Sequence, residues 1–189
     1  MKIQVKLLGL ILIVLGCSTP PPPKAPLAPK YTAKEKSNMT MCVGMTDTAR
    51  MAADAKSKGV SAQELKDRRT SGPMLELYNM TIDKVFQDKF TLPFDYAISF
   101  FDDCALNIAN VPKDRVKFAN YCNVNSMLAG RAHEYKKSGM SKEKVYEAFA
   151  QFGSETPRRI VDQVYAGSNN RAASAMNEWN SCIGPITGK

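Results

Sequence analysis

The sequence predicts an all-α protein: two related four-helix repeats, each stapled by a disulfide, packed into one helical domain. Three observations carry this reading. After residue 38, apolar residues recur at three- and four-residue steps. No stretch alternates apolar and polar residues as a half-buried strand would. The chain also repeats itself. At an offset of 80, Cys42 meets Cys122, Ala49 meets Ala129, Lys56 meets Lys136, Gly59 meets Gly139 and Ser61 meets Ser141. One deletion brings the offset to 79 and lays Ile82-Asp83-Lys84-Val85-Phe86 on Val161-Asp162-Gln163-Val164-Tyr165. A second brings it to 78 and lays Phe101-x-x-Cys104 on Trp179-x-x-Cys182. The two copies are residues 38–110 and 111–189.

In copy one a helix is expected over Thr40 to Lys58, with Met45, Ala49, Ala52 and Ala53 on one face. Gly59 is placed to end it in a left-handed turn. Ser61 and Glu64 form a capping box for a helix running to about Arg69. Ser71-Gly72-Pro73 breaks the chain, and Pro73 suits a first helical position. Leu75, Tyr78, Ile82, Val85 and Phe86 then step at helical spacing. Thr91-Leu92-Pro93 makes the next break, and Tyr96, Phe100, Cys104 and Ile108 line a fourth helix.

Copy two follows the same plan. Pro112 and Asp114 open a long helix with Phe118, Tyr121, Leu128, Ala132 and Tyr135 on its stripe. Gly139 ends it, and Ser141 caps a helix bearing Val145, Phe149 and Phe152. Thr156-Pro157 starts the third helix, with Ile160, Val161 and Val164 facing inward. Ser168 is placed to cap the fourth, where Ala172, Met176, Trp179 and Ile183 share a face.

The first residues have a different character. Lys2 and Lys6 precede a short apolar run, Leu7 to Leu15, and Val14-Leu15-Gly16-Cys17 closes it. A basic start, an apolar middle and small residues before a cut describe a secretory signal peptide. The run is about half of the ~20 residues that cross a bilayer. Val14-Leu15-Gly16-Cys17 resembles the lipobox of bacterial lipoproteins. That resemblance implies a signal peptide over 1–16, lipidation (palmitate among the acyl chains) of Cys17 and permanent membrane anchoring. Ser18 at the next position then favours the outer membrane, with the domain facing the periplasm. Residues 17–37 carry Pro20, Pro21, Pro22, Pro23, Pro26 and Pro29 among lysines. Such a segment favours the extended polyproline conformation and reads as a tether on the order of 50 Å long.

Cysteine use follows. Of five cysteines, Cys17 is taken by lipid, which leaves Cys42, Cys104, Cys122 and Cys182. An even set in an exported chain reads as disulfides. Four cysteines permit three pairings; one staple per repeat selects Cys42–Cys104 and Cys122–Cys182.

The chain has 189 residues and a formal charge of +8, which falls to about +6 once Lys2 and Lys6 leave with the signal. An exported basic protein meets anionic lipids, acidic glycans or acidic proteins rather than nucleic acid. Candidate anionic contacts are Lys56 and Lys58, Lys136 and Lys137, and the pairs Arg68-Arg69 and Arg158-Arg159. Lysines at a helix C-terminus also complement the helix dipole, so a structural role competes for them.

Catalytic chemistry finds few candidates. His133 is the only histidine, so a His-dependent triad would have to use it. Zinc sites need clustered ligands, and the cysteines are far apart in the chain. Asp102 and Asp103 are adjacent on an expected helix and point about 100° apart, unlike carboxylates that face each other across a bond. Met39, Met41, Met45 and Met51 cluster near the first helix, where they fill core gaps more readily than they bind copper. No cofactor or metal is expected. The reading is a non-enzymatic interaction or scaffold module of the cell envelope with an envelope protein partner. The alternatives are a periplasmic chaperone or ligand-binding module and, behind it, a cell-wall or lipid-acting enzyme.

Overall fold

The computed structural model describes residues 30–188. The expected signal peptide, the expected lipidation site Cys17 and most of the expected tether lie outside the described residues. Among the described residues the architecture is all-α: eight α-helices with two short 3-10 turns, and a single backbone bridge in place of any strand.

Helix α1 (Ala33–Ser57) starts earlier than the sequence suggested, at Ala33 rather than Thr40. Thr32 accepts from the Glu35 amide and Glu35 accepts from the Thr32 amide, a reciprocal capping box that satisfies two otherwise orphaned donors. The last six residues assigned to the tether therefore belong to the domain. Gly59 follows the helix at φ 79°, the left-handed conformation that glycine adopts without steric cost. Helix α2 (Ala62–Asp67) is capped by Ser61, which accepts from the Glu64 amide at 3.2 Å. The box is only half made, because the Glu64 carboxylate is taken by Arg68 at 2.7 Å.

Helix α3 (Leu75–Gln87) does not begin at Pro73; Met74, at φ 64°, stands between the proline and the first turn. Helix α4 (Pro93–Asn107) does begin with its proline. Ile108 lies beyond its end and is 46% exposed, not on the inner face as expected.

Helix α5 (Lys113–Lys137) ends before Gly139, again at φ 79°. Its buried stripe runs through Val116, Ala119, Cys122, Ser126 and Ala129, which leaves Tyr121 exposed, against the expected stripe. Helix α6 (Lys142–Phe149) is capped by Ser141 and followed by a 3-10 turn holding Phe152. Helix α7 (Glu155–Ala166) precedes α8 (Arg171–Ile183), which is capped by Asn170 rather than Ser168.

Helices α3 and α4 pack on α1, α7 and α8 pack on α5, and α4 meets α5 across the middle. Cys42–Cys104 joins α1 to α4 and Cys122–Cys182 joins α5 to α8, with Cα separations of 5.7 and 5.5 Å. The larger core cluster draws on both halves: Met39, Ile82, Val85 and Phe101 share it with Trp179 and Ile183. The Trp179 ring meets Phe101 edge-on at 6.1 Å, and its Nε1 donates to Thr40 Oγ1 at 3.0 Å. A second cluster, with Leu128, Val145, Phe149, Ile160 and Val161, lies under α5, α6 and α7. The two ends of the described chain are tied together. The amide of Tyr31 donates to the Ile186 carbonyl, and the buried Tyr31 hydroxyl donates to the Arg115 carbonyl at 2.7 Å. No described helix is long and apolar enough to cross a membrane.

Candidate functional site

Most of the predicted anionic contacts have partners within the protein. Lys56 Nζ donates to the carbonyls of Val85, Phe86 and Asp88, at 3.0, 3.0 and 2.7 Å. Lys136 Nζ does the same to Val164, Tyr165 and Gly167, at 3.0, 3.0 and 2.6 Å. Both ammonium groups thus satisfy orphan carbonyls at the C-termini of α3 and α7, a structural role of the kind that competes with an anionic contact for them. Arg68 pairs with Glu64, and Arg69 donates to the Pro73 carbonyl and lies over the Tyr78 ring. Arg158 stacks on Tyr146. Arg159 forks onto Glu178. Lys58 and Lys137 are exposed beside their glycine turns.

A different charged cluster, unforeseen in the sequence, sits where α1, α5 and α8 meet. Arg50 is 3% exposed. It donates to Asp54 at 2.8 Å and to Glu134 at 2.7 Å. Arg171 donates through Nε to the same Glu134 oxygen at 2.7 Å and forks onto Asp47. Arg131 adds a contact to Glu134 at 3.1 Å. Burial opposes ionisation of Glu134, but the guanidiniums of Arg50, Arg171 and Arg131 outweigh it and hold the carboxyl below its usual range. Burial likewise disfavours the charge of Arg171, yet Asp47 and Glu134 push its pKa up. Three cations and three anions balance, so the cluster is a neutral lock between elements. Gly130 lies beside it, where a Cβ would make only ordinary van der Waals contact with Arg171, at 3.7 Å. The Arg50 Nε–H is buried without a partner.

Asp102 is half-buried. Burial raises its pKa, and neighbouring Asp103 adds to the effect against a hydrogen bond from Asn120. His133 is half-buried on α5 beside Glu134. Among the described residues no group of three or more His, Cys, Asp or Glu side chains could hold a metal ion.

An open hollow of about 740 Å³ lies along α6 and α7, lined by Tyr146, Glu147, Pro157 and Arg158, and two further clefts lie between paired helices. The one between α3 and α4 has a volume of about 420 Å³ and is apolar: Met45 and Phe100 lie inward, Leu77, Met80 and Ile108 nearer the rim. Met80 is 60% exposed. A smaller hollow of about 260 Å³ continues along α3, sharing Met45, Leu77 and Thr81 and adding Met74. Lys84 on α3 and Asp103 on α4 give the two walls opposite charges. The cleft between α7 and α8 holds about 560 Å³ and is polar, lined by Gln163, Ser174, Asn177, Glu178, Asn180 and Ser181 over a floor of Ala129, Ile160 and Val164. Sequence reasoning placed these residues on the right helices but missed the clefts, because a gap between two helices leaves no spacing signal in either.

No family model, no curated protein and no solved structure matches this chain.

Proposed function

We propose that this protein is a lipid-anchored, non-enzymatic interaction module of the bacterial cell envelope. Cys17 holds it in the outer membrane, and the helical domain faces the periplasm. The observation that carries the interaction reading is the apolar cleft between α3 and α4. Its walls are helices of 13 and 15 residues, about 20 Å long at 1.5 Å per residue. The occupant we assign is an amphipathic helix of an envelope protein laid apolar face down, its flanking charges meeting Lys84 and Asp103. Two disulfides suit an oxidising compartment, and one of them, Cys42–Cys104, braces α4, one wall of the cleft, against α1.

The test places a photo-crosslinker at Met80 in the full-length protein in cells, with Tyr121 on the far half as control. One dominant protein captured from Met80 alone, and lost when Leu77→Asp charges the cleft, supports the reading. The same proteins captured from both positions would overturn it. The methionines Met45, Met74 and Met80 favour a second reading, a chaperone, since thioether side chains adapt to varied partners. Many unrelated proteins captured from Met80 and all lost in Leu77→Asp would select it.

A further inference from the structure

The two clefts occupy the same place in their halves, between the third and fourth helices, yet their chemistry is opposed. At the offsets that align the halves, Met80 corresponds to Arg159 and Phe100 to Glu178. An apolar pair on one side is an ion pair on the other. Glu178 is 5% exposed and lines the polar cleft, with both carboxylate oxygens held by the Arg159 guanidinium. Glu178 is buried while Arg159 is 44% exposed, so the carboxylate bears a desolvation cost that an apolar side chain of similar volume avoids. The other half of this same molecule builds that apolar solution on the same scaffold, so the fold does not require the charges. Their presence is a property of the cleft.

From this we propose that the cleft between α7 and α8 is a binding site for a neutral oligosaccharide. Glu178 is neutralised by Arg159, so the cleft offers no net charge to an ionic ligand. The amides of Asn177 and Asn180 each present donors and an acceptor, as the Ser174 and Ser181 hydroxyls do, while Gln163, whose oxygen accepts from Arg159 at 2.9 Å, offers its NH2 group. Sugar hydroxyls need both at once. Beneath them, Ala129, Ile160 and Val164 form an apolar floor for the C–H face of a ring. The volume of about 560 Å³ falls in the ordinary range for small-ligand sites. Glu178, fixed at the floor by its fork, accepts hydrogen bonds from ring hydroxyls, and the exposed Asn177 and Asn180 close over the outer edge.

Trp179, the only tryptophan, adjoins Glu178 in the chain but is buried against Phe101 and Thr40 rather than lining the cleft, so its emission serves as a check on the fold. The experiment titrates the full chain in detergent micelles with the neutral β-1,4 trimer of N-acetylglucosamine. The side-chain amide NMR signals of Asn177 and Asn180, which line the cleft, are followed, with Trp179 emission as the control for an unchanged fold. A saturable change with Kd below about 1 mM is expected. The double variant Asn177→Ala/Asn180→Ala, altered only at exposed positions, should bind at least about tenfold more weakly with an unchanged melting temperature. Glu178→Gln tests the buried acceptor, with helix content checked by circular dichroism. Absence of saturation overturns the proposal. So does saccharide binding that Asn177→Ala/Asn180→Ala leaves intact. Saturation by an uncharged capped tripeptide but not by the saccharide makes the site a peptide site and overturns it as well.

Discussion

Arg50 is the least expected side chain in the protein: a guanidinium within a face otherwise built from Met45, Ala49, Ala52 and Ala53. Its charge is tolerable because Asp54 and Glu134 take two of its nitrogens. Removing one partner of a buried pair strands the other, so Glu134→Gln should lower unfolding stability by about 2–3 kcal/mol in urea denaturation at neutral pH. The pH dependence has a definite sign. Glu134 has a depressed pKa, so its contribution is present above the ordinary carboxyl value of 4.5 and is lost as pH falls through the lower folded value. The gap between parent and Glu134→Gln should therefore narrow in acid. Asp102 runs the other way. Its raised pKa means that its stability is full below the ordinary value of 3.8 and is lost as pH rises through the raised one. Asp102→Asn should be more stable than the parent at neutral pH and indistinguishable from it in acid, where both side chains are neutral. None of this was legible beforehand, because Arg50 and Glu134 lie 84 residues apart. A charge on an alanine-rich face was the one clue.

At the scale of elements, Lys56 and Lys136 each bind three carbonyls at the end of a neighbouring helix. Lys56→Met or Lys136→Met keeps the apolar stem and deletes those bonds. Each should cost about 2 kcal/mol, with faster amide exchange confined to the last turn of α3 or α7. Equal costs in both variants would support the descent of the halves from one unit; a large difference would argue against it. Helix stops were well marked in the sequence, since Gly59 and Gly139 answer a backbone need that few other residues meet. Helix starts were less so. Thr32 and Glu35 carry a full capping box, but the prolines and lysines around them suggested a tether. Asn170 took the capping role assigned to Ser168, and Met74 separated Pro73 from its helix. These outcomes turn on a single dihedral or hydrogen bond, which composition does not encode.

The whole molecule is one packed unit because its larger core belongs to both halves. A chain cut to residues 30–110 loses Trp179 and Ile183 from that core. It should lack a cooperative melting transition and near-ultraviolet dichroism even with Cys42–Cys104 formed; a sharp transition would show that the half is autonomous. Each disulfide closes a loop of about sixty residues and stabilises by ~4 kcal/mol in the chain-entropy model. The variant Cys122→Ser/Cys182→Ser should accordingly lose on that order in chemical denaturation. The helical class and the paired cysteines were legible because periodicity and repetition are properties of the chain itself. The cleft chemistry was not, because it depends on which faces two helices leave uncovered. The tie between Tyr31 and Ile186 bears on mechanics. Tension on the chain ahead of Lys30 first peels that tie and then unwinds the start of α1. Unwinding halts at Cys42, where force passes through the covalent bridge into α4. The protein can therefore lengthen by some tens of ångströms at ~3.4 Å per freed residue while α4 keeps its covalent brace to α1, behaving as a shock absorber with a fixed stop.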